Sequence, residues 1–123
     1  MKIKNPNQET LRAAVELMAT AMKGQLVDGT TFHIYQKDLN RTGICVRLPN
    51  CAYPVDIVIE GGQIKIHGDS MDLYRAQQLV EEFYKVAYMQ QQIQTLGGSL
   101  NGLNMGVSYD QRQEKAKLEV SWY

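Results

Sequence analysis

Two histidines and two cysteines, scattered among 13 carboxylates, are the residues of this 123-residue chain best equipped for chemistry. The densest cluster is His67-Gly68-Asp69-Ser70-Met71-Asp72. His67, Asp69 and Asp72 could supply three donors to a metal, which needs three or four converging ligands. Asp69, Ser70 and Asp72 are also what a helix start requires, a cap and acids at the positive end of the dipole. That explanation suffices, and no metal site is assigned. Cys45 and Cys51 stand six apart, which is not the two-residue spacing of a zinc knuckle or redox pair. They read as reduced thiols. No Ser or Cys sits in a nucleophile elbow. Gly61-Gly62 joins two strands instead of opening a helix, so no phosphate loop is present. No cofactor is implied.

Two broader constellations depend on the elements that position them. On predicted strands, His33, Tyr35, Cys45, Arg47, Asp56, Lys65 and His67 share the outward parity, with Asp56 opposite His67. A carboxylate beside an imidazole favours the charged ring and can form a proton-transfer pair. His33, Arg47, Asp56, Lys65 and His67 would then be the ligand-binding set. The ordinary counterpart is a solvated face whose cross-strand charges each add about 0.2–1 kcal/mol. Along a predicted helix, Tyr74, Tyr84, Tyr88 and Gln91 flank the apolar arc. Such residues make good partner-contact surface, and they also serve as packing at the edge of a core.

The elements follow from periodicity. Leu11, Val15, Met18 and Met22 mark one face of a helix over 6–23, with Asn5 as cap, Pro6 in the first turn and Lys23-Gly24 as stop. The period then falls to two. Strands are expected at 32–35, 44–48, 55–60 and 63–67. Paired glycines suit the positive φ of a two-residue hairpin turn, so Gly61-Gly62 sets Ile57 opposite Ile66 and Ile59 opposite Ile64. All four isoleucines thus share one face. A helix over 70–95 would be about 39 Å long, long enough to project past a sheet in a domain this size. A second hairpin closes around 111–114, with Asp110 opposite Lys115 and Leu103 opposite Trp122. The order is helix, four strands, helix, two strands. The expected fold is α+β, a single antiparallel sheet of about six strands with both helices on one face.

Composition narrows the function. A chain this short has room for one domain, residues 1–123. Its 13 basic and 13 acidic residues give a formal charge of +0, and they are balanced within each half. Duplex nucleic acid calls for a positive field, and none exists. A sheet that stacks RNA bases uses several outward aromatics, and Tyr35 is the lone one. No run of 18 apolar residues suggests a membrane span, and the opening residues lack the apolar stretch of a secretion signal.

Val80, Phe83-Tyr84, Ala87-Tyr88, Gly97-Gly98 and Leu118-Glu119-Val120-Ser121-Trp122 together resemble an uncharacterised cyanobacterial and plastid family, hypothetical chloroplast reading frame thirty-five. The likeness covers the C-terminal half, and departs from the family in the glutamine-rich helix end and the segment 99–106. The resemblance implies a soluble accessory protein in a cyanobacterium, a plastid or a virus infecting them, and it transfers no residue roles; the expected location is the cytoplasm, or the plastid stroma where the resemblance holds. The sequence therefore points to a non-catalytic accessory or adaptor domain contacting another protein or forming a homodimer. The alternative is a small-ligand or nucleotide-binding domain, with hydrolysis conceivable, that uses the polar sheet face.

Overall fold

The computed structural model describes residues 3–27, 44–49, 55–68, 70–96 and 103–122. The elements in order are α1 (Gln8–Met22), β1 (Gln25–Val27), β2 (Ile44–Arg47), β3 (Val55–Glu60), β4 (Gln63–His67), α2 (Ser70–Leu96), β5 (Leu103–Asp110) and β6 (Lys115–Trp122). The expected strand at 32–35 lies outside the described residues. The first described strand, Gln25–Val27, has three residues, too few to show a period of two.

Helix α1 starts two residues later than the sequence suggests. Asn7, not Asn5, is the cap: it is extended at φ −103°, and its side chain accepts from the N–H groups of Glu9 and Thr10. Asn5 turns to φ +50° outside the helix. At the other end Lys23 takes the left-handed position expected of Gly24, at φ 57°. Gly24 has a different reason to lack a side chain, because a Cβ there would stand 2.6 Å from the Arg47 carbonyl oxygen. The bare backbone lets β1 lie against β2.

The sheet is not a single one of six strands. Strands β1-β2-β3-β4 form one antiparallel sheet and β5-β6 a separate two-stranded ribbon, with no described register joining them. The cause lies in where the ribbon's apolar face is satisfied. Val107, Tyr109 and Ala116 pack against the helical core, and the Tyr109 ring stacks on Phe83 with centroids 5.9 Å apart. With its apolar side on the helices, β5 has no cause to continue the plane of β4.

Within each sheet, pairing follows parity. Ile57 faces Ile66 and Ile59 faces Ile64 across a turn whose Gly61 and Gly62 have φ of +59° and +75°. Ile44 faces Ile57 on the next strand, so these side chains share one face. Against that face pack Leu11, Val15 and Met18 of α1 and Leu79, Val80 and Phe83 of α2, in one continuous core. Fully burying each such side chain contributes roughly 1.5–3 kcal/mol relative to leaving it exposed. Two long-range hydrogen bonds tie the helices together: the Asn7 N–H donates to Tyr84 Oη at 2.9 Å, and Thr10 Oγ1 donates to Gln91 Oε1 at 2.6 Å.

Candidate functional site

The second face of the four-stranded sheet carries the polar constellation, and strand pairing sets Cys45 beside Asp56 and Asp56 beside His67. The face is not uniformly wet. Asp56 is 2% exposed and Cys45 4%, and Val58 between Asp56 and Glu60 is buried too. Burial, with the Asp56 carboxylate as the next cause and Arg47 opposing, pushes the Cys45 thiol from 9.0 up to about 11. A thiol held in that form is a weak nucleophile at neutral pH. His67 is half-buried, and its Nε2 lies 3.4 Å from Glu60 Oε1, an ion pair when the ring is protonated. Lys65 and Arg47 are exposed. Arg47 lines a cleft of about 340 Å³ with Lys23, Gly24, Gln25 and Pro49, a lining that includes neither Asp56 nor His67. His33 and Tyr35 lie outside the described residues. Thus Asp56 and His67 are neighbours, while Arg47 opens onto a different cleft.

Among the described residues, no three His, Cys, Asp or Glu side chains converge as a metal site requires. No described helix is long and apolar enough to cross a membrane.

The tyrosine margin of α2 divides into three cases. Tyr74 is 71% exposed, and its hydroxyl accepts from Gln78 Nε2 at 3.0 Å. Tyr84 is buried, with its hydroxyl engaged by the α1 cap. It belongs to the core, so it offers no contact surface. Tyr88, one turn on, is 52% exposed. Gln91 is half-buried and accepts from Thr10.

Beyond Ala87 no described residue of α2 is buried, yet apolar residues continue. Tyr88, Met89 and Ile93, with Gln92, line an apolar cleft of about 340 Å³ whose opposite wall is Leu118 of β6. Val120, two residues further along the same face of β6, is 45% exposed. Sequence reasoning marked Tyr88 but missed Met89, Leu118 and Val120. Their signal was the continuation of apolar spacing on α2 past the point where its own sheet could cover it, opposite the far half of the second hairpin.

A third cleft, of about 300 Å³, lies between α2 and the β5-β6 turn and is lined by Arg75, Glu81, Glu82, Tyr109, Glu114 and Lys115. Burial, then the Glu114 carboxylate, raises the Tyr109 hydroxyl above its ordinary 10.0. The lining mixes both signs of charge and assembles no nucleophile with a base. No family model, no curated protein and no solved structure matches this chain.

Proposed function

We propose that this domain is a non-catalytic accessory or adaptor module that works by binding protein. The observation that carries the reading is the apolar cleft of Tyr88, Met89, Ile93 and Leu118, continued by the exposed Val120. Isolated exposed apolar side chains are normal, but a contiguous group at one end of a molecule marks a contact surface. Aromatic and methionine side chains are the types enriched in such surfaces, and the amide of Gln92 supplies a polar rim. A cytoplasmic or stromal setting, as the plastid-family resemblance implies, accords with this role.

The small-ligand reading draws less support. Its central carboxylate, Asp56, is inside the protein, and Arg47 serves a separate cleft. The test is a photo-cross-linking residue placed at Met89 in cells, with the same residue at the exposed Arg12 of α1 as control. Met89 should give heavier covalent adducts and Arg12 none. Absence of an adduct at Met89 refutes the contact reading.

A further inference from the structure

Strand β6 has one hydrogen-bonded neighbour among the described residues, β5. Its other edge runs eight residues, and an edge of this kind offers N–H and C=O groups to another strand. Four described strands have such an edge, namely β1, β4, β5 and β6. Of these only β6 carries both signs of charge, with Lys115, Lys117 and Glu119 all exposed. We propose that the partner at this end of the molecule is a second copy of the chain, paired antiparallel through β6 about a twofold axis at Leu118. This deepens the contact reading above and rests on it.

The register follows from charge. In a twofold antiparallel pair the central residue must face its own copy, because opposed residues share a face of the sheet. Centring on Lys117 sets lysine against lysine, and centring on Glu119 sets glutamate against glutamate. Centring on Ala116 opposes Lys115 to the partner's Lys117. Centring on Val120 sets Glu119 against the partner's Ser121 and forms no ion pair. Only the Leu118 centre places Lys117 opposite the partner's Glu119, and by symmetry Glu119 opposite the partner's Lys117. Opposite charges in facing positions stabilise a pair and like charges destabilise it. Lysines on a free edge repel an unrelated strand, whereas here the copy brings the answering glutamate.

The same register covers the apolar surface. Leu118 lies on the axis and meets its own copy, while Val120 meets the partner's Ala116. Because Leu118 also walls the α2 cleft, the two clefts come side by side. The joined sheet has four strands, a size that holds together better than a two-stranded ribbon.

Sedimentation velocity on the purified full chain tests this. The native chain should dimerise. Lys117→Glu and Glu119→Lys each turn two attractive pairs into two repulsive ones, so each should raise the dissociation constant on the order of tenfold or more. The double variant restores the pairs with signs exchanged and should recover the dimer. Both sites are exposed, and the pair that Lys117 makes with Asp110 at 3.7 Å on its own hairpin is a surface pair worth about 0–1 kcal/mol, so circular dichroism should stay unchanged. A monomeric native chain, single variants that dimerise normally, or a double variant that fails to recover overturns the twofold. A monomeric chain whose Met89 cross-links to a different protein overturns the twofold and leaves the contact reading standing. A monomeric chain with no Met89 adduct removes both.

Discussion

Replacing Tyr84 by Phe deletes one oxygen atom and tests the assignment of this tyrosine to the core. The hydroxyl accepts the Asn7 N–H at 2.9 Å across 77 positions of sequence. Asn7 is itself the cap of α1, so the bond fixes the start of one helix to the middle of the other. A typical hydrogen bond contributes about 0.5–1.5 kcal/mol net, and more when the abandoned partner stays dry. Asn7 is exposed, so water can reach its freed N–H, and the cost should be about 1 kcal/mol. With urea slopes of roughly 1–3 kcal/mol per molar, the unfolding midpoint should fall by about 0.3–1 M with the slope unchanged. Tyr84→Ala also removes a ring that is 7% exposed and should cost about 3–5 kcal/mol, as for other large aromatic truncations in a core. Tyr88→Ala, one turn away and half exposed, should stay within about 0.5 kcal/mol of the native chain. Equilibrium urea unfolding followed by circular dichroism reads all three. Equal midpoints for Tyr84→Phe and the native chain, or equal losses for Tyr84→Ala and Tyr88→Ala, would refute the division of the tyrosines.

Two other perturbations have worked signs. The folded Cys45 thiol is raised from 9.0 to about 11, so the folded state holds its proton more tightly than the unfolded chain. The resulting stability is fully present below about pH 9 and is lost as pH climbs toward about 11. Tyr109, also raised, acts in the same direction. Urea midpoints across that window should fall less steeply in Cys45→Ala, and thiolate absorbance in a Cys51→Ser background should titrate lower in Asp56→Asn. A native Cys45 that titrates near 9 defeats this account. Alanine substitution at two glycines should have opposite signs. Gly62, at φ +75°, should lose about 1–2 kcal/mol to left-handed strain. Gly106, where a Cβ meets nothing within 4 Å, should gain about 0.4–1 kcal/mol through the unfolded chain. Thermal melts that move the same way for both would contradict the geometry.

The hairpins were legible because their information is local. A two-residue glycine turn and a period of two leave a single register for Ile57, Ile59, Ile64 and Ile66, and the β3-β4 pairs are the ones so expected. The second hairpin pairs as its alternation requires, with Val107 opposite Leu118. The helix start was placed at Asn5, two residues too early, because spacing alone does not show that the side chain of Asn7, beyond Pro6, reaches two N–H groups. The division into two sheets was not legible. Nothing in β5 alone states whether its apolar face will meet helices or its edge will meet β4. Depth was hidden for a related reason. Parity assigned Cys45 and Asp56 to the face opposite the isoleucines, but alternation gives a side and not a distance from water.

Tyr84 and Tyr88 show why exposure along α2 was not legible in the sequence. They lie one turn apart on the same margin of α2, with the same chemistry, and at 100° per residue a four-residue step rotates only about 40°. The difference between 7% and 52% exposure therefore comes from what lies alongside, not from which way each points. At Tyr84 the α1 cap engages the hydroxyl. By Tyr88 that contact has ended, although Gln91 still reaches Thr10. The helix continues to Leu96, about 12 Å beyond Tyr88 at 1.5 Å per residue. Over that length, among the described residues, Met89 and Ile93 line a cleft with Leu118 of β6. A helix kept solely for the monomer's core would gain little from apolar residues there, since half-exposed side chains return only part of their transfer energy. The contact proposed above would complete their burial, with Lys117 of β6 facing Glu119 of the second copy.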